Sequence, residues 1–279
     1  MVGYPGLVES GGRYQHFLLT RMNTETPFGT RRAHVDPDWL AHRFTLFETY
    51  TLPSVMAQVE LDFMWLLFSH EKTPPEFRDR LRSYERSFPA LRIVTCTVFD
   101  EDVARREVLA RCDEDVTHII TSRVDNDDAL GARYTSLVKR EFTAQEGQFI
   151  NFDDGLQLHG KCLYTTTDTS NPYCSSIERL ETYRGVFCVA HVDISTVYPV
   201  KHITDERIWL TVIHDRNAMN SVDGSRCTSA QLREEFDFLR ARSLNDNAAS
   251  IIVDRQIRRL RIVRRRTRSW LRSIVRRRS

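Results

Sequence analysis

The chain has 279 residues, 41% of them apolar, which is enough for a sizeable core and leaves room for one large domain or two small ones. Net charge is +2, yet residues 254–279 carry 12 Arg and one Asp, a local +11 that leaves about −9 on everything before them. An acidic body with a basic end argues against nucleic acid binding over the whole surface and points to an anionic partner for the end alone. No basic-then-apolar leader is seen at the start, and no run approaches the roughly 18 apolar residues of a membrane span, so a cytoplasmic protein is expected. Six scattered cysteines without a CxxC pair argue against a zinc site and fit reduced thiols.

In chain order, residues 1–13 are Gly-rich and read as a loose start. Tyr14–Thr20 reads as a first strand. Trp39–Tyr50 has helical apolar spacing, and Leu52-Pro53-Ser54 restarts a helix with proline in its first turn. Phe63–Ser69 reads as a strand, after which Thr73-Pro74-Pro75 opens a turn and a helix. Leu91–Val98 is a β-branched strand, Glu101–Arg111 a helix, Val116–Ser122 a strand and Ala129–Arg140 a helix. Gln148–Phe152 and Gly160–Thr166 follow as strands, then Val186–His191 and Ile208–His214, with a helix at Ser229–Arg242. Alternating strands and helices in the first half predict an α/β fold with a mainly parallel, Rossmann-type sheet flanked by helices.

The chemistry concentrates at Asp125-Asn126-Asp127-Asp128, directly after a strand that reads as buried and parallel. Ligands of open α/β sheets bind outside the carboxyl ends of their strands. Three carboxylates in four residues repel one another unless a positive group sits among them. Mn²⁺ or Mg²⁺ supplies that charge through carboxylate oxygens and can bridge the phosphates of a nucleotide-sugar as a Lewis acid. On this reading Asp127 contacts the metal and Asp125 serves ribose or metal. The alternative is an Asx-rich turn capping the next helix. Both hold together if Asp128 caps while Asp125 and Asp127 serve the ligand.

At this point the chain resembles the putative rhamnosyltransferase family, glycosyltransferases of the GT-A type. The matching pieces are His16 through Asn23, Leu46-Phe47-Glu48 with Leu52-Pro53-Ser54 and Gln58, and Thr121 through Leu130. Asn171-Pro172-Tyr173 with Ser176 and Glu178, and Trp209 through His214 with Asn217 and Asn220, complete the set. Together they span about residues 14 to 220. The resemblance implies a GT-A-like domain over residues 14–245, with a nucleotide-binding half (about 14–130) and an acceptor half (about 131–245). It implies a nucleoside-diphosphate sugar donor, rhamnose by the family's label, and a glycan or lipid-linked acceptor.

The same resemblance gives roles to further residues. Thr20, Arg21 and Asn23 follow the first strand, where a GT-A loop holds base and ribose; Arg21 also suits diphosphate through its planar fork. Arg123 either holds a phosphate or pairs with Asp125 or Asp127. His214, ending an apolar strand, is a candidate metal ligand alongside Asp125, Asp127 and Asp128, with His191 a weaker competitor. A base that deprotonates the acceptor hydroxyl is sought at Glu178, read as opening a helical stretch, or at Asp153 and Asp154. Those two also read as a turn, because Asp154-Gly155 is a turn signal.

From Val253 on, Ile257, Leu260, Val263 and Ile274 recur at helical spacing among arginines, so residues 246–279 form an Arg-rich amphipathic tail. An anionic membrane surface, the inner face of a membrane, suits it; nucleic acid is the rival partner. Two other functions stay open: a metal-dependent nucleotidyltransferase or phosphohydrolase using the same aspartates, and a non-enzymatic anion- or membrane-binding protein using the tail.

Overall fold

The computed structural model describes residues 6–7, 12–27, 32–215, 221–232 and 234–257. Its strands are β1 (Gly6–Leu7), β2 (Arg13–Arg21), β3 (Met64–His70), β4 (Leu91–Cys96), β5 (His118–Arg123), β6 (Ala129–Leu130), β7 (Gly147–Phe152), β8 (Asp154–His159), β9 (Cys162–Thr167), β10 (Ser175–Arg179), β11 (Val200–Ile203), β12 (Trp209–Ile213) and β13 (Ser225–Cys227). The helices are α1 (Pro37–Leu46), α2 (Leu52–Met56), α3 (Pro75–Ser87), α4 (Glu101–Leu109), α5 (Tyr134–Arg140) and α6 (Ile194–Val197).

The larger sheet runs β11-β7-β10-β5-β2-β3-β4, with β1 added to β2. Strands β5, β2, β3 and β4 are mutually parallel, while β10 is antiparallel to both β5 and β7. A mainly parallel sheet covered by helices, as expected of a GT-A-like chain, is what forms. Strands β2, β3 and β5 are buried on both faces, so β3 and β5 read as nearly continuous apolar or β-branched runs, while β4 at the sheet edge is only partly covered. One face packs Leu18, Trp65 and Leu67 against α1, α2 and α3; Phe44, Phe47 and Trp65 are fully buried there. Each contributes roughly 1.5–3 kcal/mol by leaving water. The opposite face packs Phe17, Leu66 and Phe68 against Ala104 and Val108 of α4.

Helix α1 starts where Asp36 accepts a hydrogen bond from the Trp39 N–H (2.9 Å) and Pro37 fills the first turn. It continues through a wide turn, Phe47–Thr51, in which the Leu52 N–H reaches back to the Phe47 carbonyl. That one-residue widening accommodates Pro53, which has no N–H to donate within the helix.

The second sheet runs β13-β9-β8-β12-β6. The second half departs from the sequence reading at several points, and β10, β11 and β13 have no counterpart in it. Ala129–Leu130 is a strand paired antiparallel with β12, and the helix begins only at Tyr134, so Asp128 caps no helix. Asp153-Asp154-Gly155 is not a turn: the chain runs from β7 straight into β8, and Asp153 is where it leaves one sheet for the other. Gly155 is needed because a Cβ there would stand 2.2 Å from the Trp209 ring. Val186–His191 makes no strand; after Gly185 (φ 89°) the backbone turns, with Val186 buried in the core beneath it. Ser229–Arg242 gives only short turns, Ser229–Leu232 and Asp237–Leu239 among the described residues, while Leu232, Phe236 and Leu239 still pack on the second sheet.

All six cysteines are free thiols. Among the described residues no helix is long and apolar enough to cross a membrane. Residues 248–257 are helical; the tail beyond residue 257, and Asn217 and Asn220, lie outside the described residues.

Candidate active site

A cleft of about 580 Å³ opens at the carboxyl ends of β2 and β5. Its walls come from the loop after β2 (Arg21, Met22, Asn23), from α1 (Trp39, Arg43), from Asp125 through Asp128, and from Gln157, Tyr173 and Thr211. The topology accounts for the gathering. β5 lies beside β2 in parallel register, so the residues that follow both strands emerge together, and β12 brings Thr211 and His214 across from the second sheet.

Asp127 is the centre of charge. Its Oδ2 accepts from Arg43 Nη1 at 2.5 Å and lies 2.9 Å from His214 Nε2. Burial pushes the Asp127 pKa up, but the bond to His214 and the charge of Arg43 outweigh it, and the net direction is down. Arg43 is anchored over the Trp39 ring at 5.2 Å and also donates to Asn126 Oδ1 at 3.2 Å. Asn126 in turn donates its amide to the carbonyls of Arg21 (2.8 Å) and Met22, tying the acidic segment to the loop after β2.

Asp128 points the other way. Its Oδ1 accepts from the Val212 N–H (2.8 Å) and its Oδ2 from the Tyr173 hydroxyl (2.7 Å). Burial first, then the charges of Asp127 and Asp125, hold its carboxyl well above the usual range. Tyr173 stacks on Trp209 with ring centroids 4.9 Å apart, so a rigid aromatic pair supports this carboxylate from below. Asp125 is the most exposed of the three aspartates. Arg21 and Arg123 face it at 3.8 and 3.7 Å, and both guanidinium groups lie over the Phe187 ring. Burial lowers the Arg21 pKa, with the Asp125 charge opposing.

The remaining expected residues divide. Asn23 lines the cleft, but its side chain holds the fold: its amide donates to the His34 carbonyl and Thr73 Oγ1, and its oxygen accepts from Ser69 and the His70 N–H. Thr20 is fully buried, accepts from the Trp65 indole at 3.0 Å and does not line the cleft. His191 lines it, its pKa lowered by burial and then by the Arg123 charge.

The three expected base candidates are not brought to the cleft. Glu178 opens no helix; it sits on β10 and accepts from Ser176 Oγ (2.7 Å) and from the N–H groups of Arg184 (2.9 Å) and Gly185 (3.0 Å). Asp153 is buried between Asn151 Nδ2 (2.6 Å) and His202 Nδ1 (2.8 Å). Asp154 lines a neighbouring trough instead. The carboxylates at the rim are Asp168 and Asp223, both exposed.

Sequence reasoning missed Arg43, Trp39, Tyr173 as a support, and these two rim aspartates. Arg43 had a signal of a kind: an arginine on the apolar side of a helix, one residue before Phe44, needs a buried counter-charge.

A divalent ion is chemically compatible with this centre. Asp127 and His214 offer a carboxylate oxygen and an imidazole nitrogen side by side. His42, His214 and Asp215 hold one possible ligand atom each within 4.8 Å of one another. Carboxylate with imidazole suits Mn²⁺, and carboxylate suits Mg²⁺. Arg43 also stands on Asp127 Oδ2, so part of the local negative charge is already balanced by the chain itself.

A family model described as "Putative rhamnosyl transferase" matches residues 16–226. No curated protein matches the chain. Among solved structures it is similar to S. aureus TarS residues 1–349, at 9% identity and TM-score 0.41, over 71% of this chain and 60% of that one. It is similar to the same TarS fragment in complex with UDP-GlcNAc, at 10% identity and TM-score 0.42, over 73% and 60%. A third likeness is 4-diphosphocytidyl-2C-methyl-D-erythritol synthase from Anaerococcus prevotii, at 11% identity and TM-score 0.37, over 69% and 88%. The chain spans about 60% of the length of the TarS fragment. The family match takes in well over half of the sequence, and the chain belongs to the putative rhamnosyl transferase family.

Proposed function

We propose that the cleft binds a nucleoside-diphosphate sugar and that the protein transfers the sugar, rhamnose by the family's label, to an acceptor hydroxyl. The observation that carries this reading is the Asp127 carboxylate between Arg43 and His214, in a polar cleft at the carboxyl ends of parallel strands. Arg21 and Arg123, on the Asp125 side, are the groups to meet phosphate oxygens, which a planar guanidinium recognises two at a time. Trp39 offers an aromatic face to a nucleobase. Mn²⁺ or Mg²⁺ is to be held by Asp127 and His214, with Asp125 or Asp215 completing the set. Such an ion, when bound, offsets charge on a departing diphosphate. Asp128, its oxygens held by Tyr173 and Val212, keeps the segment in place rather than ligating directly.

The base that takes the acceptor proton is assigned to the rim, to Asp168 or Asp223, because both line the cleft and both are accessible to an incoming hydroxyl. The nucleotide half is residues 14–130 and the acceptor half 131–245. The tail places the enzyme on an anionic membrane. In its described part Ile252, Val253 and Ile257 are exposed on the helix, while Arg255 Nε donates to the Arg226 carbonyl and ties that helix to the body.

The test is turnover of nucleoside-diphosphate rhamnose and UDP-GlcNAc, with and without a glycan acceptor, in Mn²⁺ and in EDTA. Sugar transfer that needs acceptor and metal is expected. Release of a nucleoside monophosphate and a sugar 1-phosphate, with no glycoside product from either donor, would instead identify a phosphohydrolase, and formation of a nucleoside triphosphate on adding inorganic diphosphate would identify a nucleotidyltransferase.

A further inference from the structure

Beside the cleft lies a second cavity, a trough of about 340 Å³ formed by β8, β9, the start of β13 and the segment before β12. Its lining includes Asp154, Thr166, Thr167, Arg207 and Ser225, and no large apolar side chain. The side chains are already ordered. Asp154 accepts from Thr167 Oγ1 at 2.6 Å and from the Asp205 N–H at 3.0 Å. Arg207 Nε is buried and has no hydrogen-bond acceptor among the described residues. The same residue lines the trough, and a guanidinium there offers hydrogen-bond donors to oxygens in the cavity.

Asp223 lines both the trough and the donor cleft. It is fixed between them: its N–H and that of Gly224 donate to Gln157 Oε1 at 3.0 and 2.9 Å, and its carboxylate accepts from Ser221 at 2.8 Å. Gln157 itself lines the cleft. The wall lies close against β9 because residue 224 is glycine; a Cβ there would stand 2.4 Å from the Thr165 carbonyl. A molecule seated in the trough therefore meets the donor at the Asp223 wall.

We propose that this trough is the acceptor subsite and that it takes a sugar unit, read hydroxyl by hydroxyl. This rests on the glycosyltransferase reading and adds to it the place and chemical class of the acceptor. Threonine and serine hydroxyls donate and accept, carboxylates accept, and a guanidinium only donates. A polyhydroxylated ring, whose hydroxyls do both, satisfies that mixture. A lipid chain does not, since it would leave the same groups desolvated and unpaired.

The experiment uses the full chain saturated with UDP and Mn²⁺, so that the donor cleft is filled. Saturation-transfer NMR is recorded with methyl glycosides of rhamnose, galactose and N-acetylglucosamine. At least one glycoside gives a signal with UDP bound, and Arg207→Ala weakens its affinity about tenfold, the loss expected of one charged hydrogen bond. Thr166→Val weakens it severalfold; melting temperatures of both variants verify folding. UDP that binds while no glycoside signals, or a signal equal in wild type and both variants, overturns the trough alone. Failure of UDP, and of dTDP and GDP used in its place, to bind the wild type overturns the transferase reading, and the trough with it.

Discussion

Two acidic segments stand at strand ends in this protein and meet opposite fates. Asp125 through Asp128 follows β5; Asp153 and Asp154 follow β7. The first opens into a cleft and faces arginines and histidines delivered by other elements, Arg43 from α1 and His214 from the end of β12. The second is absorbed by its own surroundings. Asp153 is closed in by Asn151 and His202 where the chain passes between sheets, and Asp154 is bound by Thr167 and the Asp205 N–H. Glu178 belongs with the second group, wrapped by backbone N–H donors. A carboxylate whose oxygens are filled by its own neighbours holds the fold. One faced by cations from other elements across a cleft can exchange them for a ligand.

The comparison breaks if the two groups respond alike to mutation. The largest effect is expected at Asp127→Ala, with a loss of about 10²–10³ in kcat/KM, the scale of removing a principal electrostatic group, and a melting temperature close to wild type. Glu178→Ala should do the reverse. It leaves the Arg184 and Gly185 N–H groups and the Ser176 hydroxyl unpaired, and about 3 kcal/mol of stability is lost on urea unfolding, with nucleotide affinity retained. If Glu178→Gln folds well yet loses turnover as Asp127→Ala does, the division is wrong.

Gly155→Ala probes the junction of the second segment. Its Cβ would meet the Trp209 ring, so overpacking costs roughly 1–3 kcal/mol. Because Trp209 stacks on Tyr173, which holds Asp128, nucleotide affinity should fall too. A destabilised variant with unchanged affinity would show that the aromatic support is not coupled to the cleft.

The smallest expected effect is one of pH. His16 is buried against Ser122 (2.8 Å), and burial, with the Lys139 charge adding to it, holds its pKa well below the ordinary value of 6.5. The unfolded chain protonates this ring below about pH 6.5 while the folded chain resists, so its contribution is present above that pH and is lost as pH falls. Asp127, whose pKa is lowered, keeps its contribution further into acid, down through its folded-state value below 3.8. On acidification the His16 contribution should therefore be lost before that of Asp127. Melting temperature followed from pH 7 to 5 in wild type and His16→Gln should show a shallower decline in the variant; parallel curves would remove His16 from the account.

The sequence carried much of the first half of this architecture. β2, β3, β4 and β5, the helices α3 and α4, and the acidic segment after β5 are all visible as local patterns, because parallel strands buried on both faces are unambiguous apolar runs. The second half was obscured by pairings that join distant residues. Ala129–Leu130 reads as the first turn of a helix until β12 arrives to pair with it. Asp154-Gly155 reads as a turn because nothing local reveals the Trp209 ring lying over the glycine. Glu178 was misjudged for the same reason: its donors come from the loop that follows β10, whose return path has no sequence signature. Many residues that carry the family resemblance prove to be braces. The Gln58 side chain, for example, binds the Ser54 and Gly131 carbonyls and the Thr135 N–H. Arg43, 84 residues from Asp127, reaches the cluster only through tertiary packing.

The most direct measurement is calorimetric titration of UDP, dTDP and GDP, one at a time, into the wild-type protein and Asp127→Asn, each with Mn²⁺ and with EDTA. The account predicts saturable binding to the wild type in Mn²⁺, at least tenfold weaker binding in EDTA, and no metal dependence in the variant. No binding of any of the three nucleotides, or equal affinity in all four conditions for those that bind, would contradict it.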